Sequence, residues 1–181
     1  MRVFIAIEFS DEAKTNIVDI RDRISEYSTA GNYTFKDNLH LTIKFIGQIE
    51  KNNIKVIQDV MKNTAQSMKP FTFTLDRLGR FVRRRKSLIW LGTSDEIEEL
   101  LILHRALDNG LSTHGFPKDK RSFTPHVTMG REINLTLPFN QLKESITVEP
   151  ISIHVDSLTL MESTRVDGRL VYIPIYRCPL D

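Results

Sequence analysis

Apolar residues in the first thirty positions follow two different spacings. Residues 3–9 form an almost continuous apolar run, which is typical of a buried strand. The following Ser10-Asp11-Glu12 offers a capping hydroxyl and two acidic side chains, as at the start of many helices. Apolar residues then recur every three or four positions, which predicts an amphipathic helix extending to about Tyr27.

The rest of the chain also divides into strand-like and helix-like segments. Gly31-Asn32 and Pro70 interrupt the apolar spacing, and an Asp-Gly pair within residues 150–176 is a strong hairpin signal. The segments with period-two spacing, which predict strands, are 39–46, 71–75, 87–92, 123–130 and the two arms of that hairpin. The segments with helical spacing are 53–67 and a helix that starts at 93–96 and continues through 97–108.

Three short matches recur in the same order in the two halves of the chain. They are Ser10-Asp11-Glu12 with Ser94-Asp95-Glu96, His40-Leu41-Thr42 with His126-Val127-Thr128, and Asp76-x-Leu78 with Asp156-x-Leu158. The three offsets are 84, 86 and 80 residues. Nearly constant offsets predict one folded unit with an approximate internal repeat of 1–86 and 87–181. Two similar lobes related by a pseudo-two-fold axis would bring equivalent residues together at a shared cleft.

Composition excludes several classes of protein. The chain is 40% hydrophobic and 27% charged, as in ordinary globular proteins, and no apolar run reaches the roughly 20 residues that span a bilayer. Cys178 is the only cysteine, which excludes an internal disulfide and a cysteine-based zinc cluster. The first residues lack the pattern of a secretory signal. We therefore expect a cytoplasmic protein without membrane association.

Positive charge is concentrated in one short run. The formal net charge is only +2, but residues 83–86 read Arg-Arg-Arg-Lys between Phe81 and Leu88, where the spacing predicts the tip of a hairpin. Such a run can bind the phosphates of a nucleic-acid backbone. A solvated turn with no binding role is the alternative.

Two strands carry a histidine and a threonine on the same face. Successive side chains of a strand point to opposite sides, so His40, Thr42 and Lys44 share one face of the first segment. His126 and Thr128 share one face of the second. A single His-x-Thr on a strand usually indicates only a half-exposed strand. Two copies at equivalent positions of a repeat favour a functional pair instead.

This pair of residue types suits phosphate chemistry. An imidazole titrates near neutral pH, so one ring can donate a proton while the other accepts one in the same turnover. Threonine hydroxyls can donate hydrogen bonds to phosphoryl oxygens. His104 lies among leucines of a predicted helix, and we assign it no functional role.

The two segments resemble the paired His-x-Thr motifs of the two-histidine phosphoesterase superfamily. The segments are His40-Leu-Thr-Ile-Lys-Phe-Ile-Gly47 and Ser122-Phe-Thr-Pro-His-Val-Thr-Met-Gly-Arg131. The resemblance is strongest to its RNA 2′,3′-cyclic phosphodiesterase branch, also called the 2′-5′ RNA ligase family, and it covers the whole chain. It implies a bilobal α+β fold of duplicated, pseudo-two-fold design, with antiparallel sheets lining a central cleft and helices on the outside.

The resemblance also implies roles for individual residues. His40 corresponds to the family's proton donor and His126 to its proton acceptor. Thr42 and Thr128 correspond to the threonines that hold phosphoryl oxygens, and Arg131 matches an arginine just beyond the second motif. Gly130 stands where the family more often has alanine.

Lys44 is a further candidate for substrate binding. Strand parity places its side chain on the same face as His40, toward the cleft, with a position in solvent as the alternative.

The implied activity is hydrolysis of RNA 3′-terminal 2′,3′-cyclic phosphates to 2′-phosphates, with reversible 2′-5′ RNA ligation as a second activity. The sequence has no His-Glu-x-x-His segment, cysteine pair or glycine-rich phosphate loop, so we expect no metal and no other cofactor. The expected partner is RNA with cyclic phosphate ends, tRNA fragments among the candidates, bound by a monomer. The alternative is a non-catalytic module that binds RNA ends or nucleotide phosphates.

Overall fold

A computed structural model describes residues 1–181 as ten strands and four α-helices. No helix in it is both long enough and apolar enough to cross a membrane. The strands are β1 (Arg2–Glu8), β2 (Ser28–Tyr33), β3 (His40–Gln48), β4 (Phe71–Leu75), β5 (Arg77–Arg83), β6 (Lys86–Gly92), β7 (His126–Leu135), β8 (Ile151–Val155), β9 (Ser157–Val166) and β10 (Arg169–Pro179). The helices are α1 (Asp11–Ser25), α2 (Ile54–Ala65), α3 (Glu98–Ser112) and α4 (Phe139–Ser145).

The strands form three antiparallel sheets. Sheet A has the order β10-β9-β1-β3, sheet B has the order β2-β7-β6-β5, and β4 pairs with β8 in a two-stranded sheet. Every pairing in the three sheets is antiparallel. The predicted α+β class with antiparallel sheets is therefore confirmed.

The order of strands and helices is similar in the two halves of the chain, and the last strand of each series pairs with a strand of the other half. Apart from β2 and β10, which have no counterpart in the other half, strands and helices follow the order β1-α1-β3-α2-β4-β5 and then β6-α3-β7-α4-β8-β9. The last strand of the first series, β5, pairs with β6, and the last strand of the second, β9, pairs with β1. Each four-stranded sheet is therefore built from both halves of the chain.

Helix α1 forms where the spacing predicts it. The Ser10 hydroxyl accepts a hydrogen bond from the Ala13 backbone N–H at 3.1 Å, which caps the first turn. The buried face of the helix contains Ala13, Ile17, Ile20 and Ile24. These residues join one continuous core of 39 buried apolar residues that both halves of the chain share.

Two predictions about secondary structure are wrong. The helix predicted to start at residues 93–96 begins instead at Glu98. The Ser94 backbone N–H donates a hydrogen bond to the Asp76 carboxylate at 2.7 Å. The break predicted at Gly31-Asn32 lies within β2, an edge strand paired with β7. Its few apolar residues gave no strand signal because the strand is mostly outside the core.

The two predicted hairpins are confirmed. Strands β5 and β6 are joined at Arg84-Arg85, and β9 and β10 are joined at Asp167-Gly168. Asp167 and Gly168 both have positive φ, as a two-residue turn with the twist of a hairpin requires.

Candidate active site

Strands β3 and β7 bring the two predicted motifs to one pocket. His40 and Thr42 line it from β3, and His126, Thr128 and Arg131 line it from β7. The pocket encloses about 50 Å³ between sheets A and B. The structure thus places five of the six residues singled out from the sequence around one cavity.

Each histidine is oriented by a backbone carbonyl two residues before it. His40 Nδ1 lies 2.7 Å from the Asn38 carbonyl oxygen, and His126 Nδ1 lies 2.7 Å from that of Thr124. A carbonyl can only accept, so Nδ1 carries the hydrogen in each ring, and in the neutral rings Nε2 is left with a lone pair. His40 Nε2 accepts a hydrogen bond from the Thr42 hydroxyl at 2.9 Å.

Aromatic rings support both imidazoles. The His40 ring packs against Phe4 and Tyr172, with ring centres 4.9 and 5.0 Å away. The His126 ring packs against Phe81 and Trp90 at 5.2 and 5.9 Å. Because these rings limit rotation of the imidazoles, they help to fix the directions of the two Nε2 atoms.

The same surroundings lower the pKa of both histidines. Burial lowers the pKa of His40 from 6.5 to about 4, which outweighs the bond to the Asn38 carbonyl, and the nearby His126 and Arg131 add to the shift. Burial also lowers the pKa of His126, with Arg131 acting in the same direction. Both rings are therefore neutral at neutral pH in the free protein.

The chain matches a known protein family. A family model described as the 2′-5′ RNA ligase superfamily matches residues 9–167. The chain belongs to this superfamily. The family predicted from the two motifs is thereby confirmed.

Named relatives of this superfamily match along most of their length. A Thermotoga maritima protein named RNA 2′,3′-cyclic phosphodiesterase is 29% identical over 182 residues, covering 100% of this chain and 96% of the relative. An Escherichia coli protein of the same name is 29% identical over 184 residues, covering 99% and 96%. The crystal structure of E. coli LigT complexed with 3′-AMP has a TM-score of 0.80, 29% identity, and coverage of 99% and 97%.

The Lys44 side chain does not face the active-site pocket. The prediction that it shares a face with His40, made from the alternation of side chains along the strand, is wrong. Ala6 pairs with Thr42, but the preceding Ile5 pairs with Lys44, so β3 contains one extra residue at this point. Such a bulge reverses the alternation of side chains. Lys44 is consequently only 1% exposed, whereas Phe45 turns toward the pocket and is 51% exposed.

The Lys44 ammonium is bound by groups of α3 and the segment after it. It donates to the Asp108 carboxylate at 2.6 Å, the Asp119 carboxylate at 2.8 Å and the Pro117 carbonyl at 3.1 Å. Burial alone would raise the pKa of Asp108, but the bonds from Lys44 and from the Asp119 backbone N–H outweigh it and lower that pKa. Lys44 thus joins β3 to the segment that leads to His126.

His104 takes part in the same cluster. Its Nε2 lies 2.9 Å from the Asp119 carboxylate, and its ring stacks on Phe123 with centres 4.4 Å apart. The ligand atoms of His104, Asp108 and Asp119 lie within 4.8 Å of one another, a spacing that can hold a metal ion. Because the Lys44 ammonium already bridges both carboxylates, the cluster is an ion-pair network that connects two segments of the site.

Sequence reasoning missed several pocket residues. Thr34, Asn38, Phe45 and Tyr172 line the pocket as well. Thr34 donates a hydrogen bond to the Thr128 carbonyl at 2.8 Å. Of these four residues, only Asn38 could have been predicted from the sequence, because it lies two residues before His40. The other three are brought to the pocket by long-range pairing and by the bulge in β3.

Proposed function

We propose that the protein hydrolyses 2′,3′-cyclic phosphates at RNA 3′ ends to 2′-phosphates. The observation that carries the proposal is the pair of imidazoles in one pocket, each with Nδ1 held by a carbonyl, beside Thr42 and Thr128. This arrangement leaves two Nε2 atoms able to exchange protons with a bound phosphate ester. The names of the Thermotoga and E. coli relatives support the same substrate.

The proposed reaction needs one proton acceptor and one proton donor. His126 Nε2 removes a proton from the attacking water as the new phosphorus–oxygen bond forms. His40 Nε2 delivers a proton to the ribose 3′ oxygen as the bond from that oxygen to phosphorus breaks, while the 2′ oxygen stays on phosphorus. Exchange with solvent afterwards removes the proton from His126 and returns one to His40.

The low pKa of His40 in the free protein fits a donor that is protonated together with substrate binding. A bound phosphate diester carries one negative charge, which favours the imidazolium form and counteracts the effect of burial. The hydroxyls of Thr42 and Thr128 and the guanidinium of Arg131 supply donors for the phosphoryl oxygens. The Thr42 hydroxyl then exchanges its bond with His40 for one with phosphate.

The proposal requires no metal ion or cofactor, because the acid, the base and the hydrogen-bond donors are all side chains of this protein. The second part of the proposal is a further activity, reversible 2′-5′ RNA ligation. With an RNA 5′-hydroxyl in place of water, the same groups would open the cyclic phosphate to a 2′-5′ linkage, and attack of the neighbouring 3′-hydroxyl on that linkage would reverse the step and release the 5′-hydroxyl. The proposed partners are RNA fragments with cyclic phosphate ends, tRNA fragments included, bound by a monomeric cytoplasmic protein.

The competing function is a non-catalytic module that binds RNA ends. A phosphate-binding site without catalysis is better served by arginine or lysine than by neutral imidazoles of lowered pKa. The test is incubation of the purified protein with an RNA ending in a 2′,3′-cyclic phosphate, in the presence of a chelator. We expect an RNA ending in a 2′-phosphate, and recovery of unchanged RNA would contradict the proposal.

A further inference from the structure

A groove of about 650 Å³ continues from the active-site pocket over sheet A. The groove and the pocket have Phe45, Arg131 and Tyr172 in common, so the two spaces are contiguous. Its remaining lining residues are Arg2, Phe4, Ser163, Thr164, Arg165 and Leu170. The proposed reaction at the histidines uses none of these six.

The groove combines positive charge with exposed apolar surface. Arg2, Arg131 and Arg165 line it, none of the three forms an ion pair, and no acidic residue is among the lining residues. Phe45 is 51% exposed and Leu170 is 37% exposed. Grooves for single-stranded nucleic acids combine cationic groups for the backbone with aromatic faces on which bases stack.

Arg2 and Arg165, unlike Arg131, lie too far along sheet A to be needed at the reacting phosphate. Arg2 is four residues before Ala6 on β1, and Ala6 is the partner of Thr42. At about 3.3 Å per residue, the Cα atom of Arg2 lies roughly 13 Å along the strand from that of Ala6, which is beside Thr42 of the first motif. Arg2 pairs with Ser163 on β9, and Arg165 lies two residues further along the same strand. Both guanidinium groups are therefore placed for a different phosphate.

The direction of attack places the nucleotide on this side of the pocket. Attacking and leaving oxygens of a phosphoryl transfer are roughly in line, on opposite sides of phosphorus. With the water at His126 on sheet B, the leaving ribose oxygen lies at His40 on sheet A. The ribose, and the RNA chain that precedes it, therefore extend over sheet A, where the groove lies.

We propose that this groove binds the RNA segment on the 5′ side of the terminal nucleotide. Arg2 and Arg165 bind backbone phosphates of that segment, and Phe45 offers a face for base stacking. The proposal rests on the proposed hydrolysis of RNA cyclic phosphates. It places the RNA chain on sheet A, whereas the hairpin at residues 83–86 belongs to sheet B, whose Phe81 packs against His126.

The test compares two substrates across a salt series. One is a short oligoribonucleotide ending in a 2′,3′-cyclic phosphate, and the other is a mononucleoside 2′,3′-cyclic phosphate. The variant is Arg2→Gln with Arg165→Gln. Its matched control is Arg105→Gln with Lys120→Gln, which removes two charges from exposed residues outside the pocket and the groove. A third protein, with Arg83, Arg84 and Arg85 changed to Ala, tests the hairpin.

We expect the groove variant to raise KM for the oligonucleotide at least tenfold more than KM for the mononucleotide. For the oligonucleotide, the slope of log KM against log salt concentration should be smaller in the variant by roughly 0.7 for each backbone phosphate that it no longer neutralises. The control pair should retain the KM values of the unmodified protein. An equal rise on both substrates, no rise on the oligonucleotide, or an oligonucleotide-specific rise confined to the hairpin variant would overturn the groove proposal. If the unmodified protein opens neither substrate, the proposed function fails, and the groove proposal fails with it.

Discussion

At the scale of single residues, the two histidines share one design but differ in their surroundings. Each donates Nδ1–H to the carbonyl two residues before it, and each packs against aromatic rings. The pKa of His40 falls to about 4, and that of His126 is lowered as well. That the two motifs meet in one pocket could be predicted from the sequence, because their residues repeat at nearly the same offset as the other matches. The pKa shifts could not, since they arise from burial by distant segments.

Replacing either histidine should remove turnover and leave binding intact. We expect His40→Ala and His126→Ala each to lower kcat by about two to four orders of magnitude, the usual contribution of a general acid or base. The measurement is the rate of cyclic phosphate opening together with RNA affinity. The control is His154→Ala, an exposed histidine outside the pocket. Near-normal turnover in either active-site variant would refute its role.

The lowered pKa values predict a dependence of stability on pH. In the unfolded chain each imidazole titrates near 6.5, whereas in the folded protein the pKa of His40 is about 4. The unfolded state therefore binds more protons between these values, so stability is complete above pH 6.5 and is lost as the pH falls toward 4. We expect His40→Gln to reduce the drop in Tm between pH 7 and pH 4.5 by roughly 5 °C, as measured by thermal unfolding. An equal drop in both proteins would contradict the shift.

At the scale of elements, the bulge in β3 decides which side chains reach the site. Alternation along the sequence correctly predicts the strand and places His40 beside Thr42, but it assigns Lys44 to the pocket. The position of a bulge depends on how the strand pairs with its neighbour, here β1. The sequence of β3 alone therefore does not predict it. Strand β2 was missed for a related reason, since an edge strand outside the core needs little apolar alternation.

The Lys44 network should be a stability element rather than a substrate-binding group. Lys44→Met leaves the carboxylates of Asp108 and Asp119 without their shared cation, and removal of one partner from a buried ion pair costs about 3 kcal/mol of unfolding free energy. Denaturant titration measures this loss. Adding Asp108→Asn and Asp119→Asn should recover part of it, because the unpaired charges are then gone. Unchanged stability combined with a raised KM would return Lys44 to substrate binding.

At the scale of the whole molecule, the exchange of β5 and β9 builds each sheet from both halves of the chain. The repeat in the sequence predicts that equivalent residues meet, and His40 and His126 do meet in one pocket. The repeat does not predict that β1 pairs with β9, because the two strands lie far apart in the chain, whereas the pairing of β5 with β6 follows from the local hairpin signal. The groove lies over sheet A, which this exchange builds from β1 and β3 of the first half and β9 and β10 of the second.

The central claim is that His40 and His126 open a cyclic phosphate as acid and base. Its most direct test is the pH profile of cyclic phosphate hydrolysis, measured with a chelator present in the unmodified protein and in each alanine variant. We predict a bell-shaped profile that the chelator leaves unchanged, with the alkaline limb lost in His40→Ala and the acidic limb lost in His126→Ala. A profile without limbs, or limbs that persist when the histidines are replaced, would contradict the account.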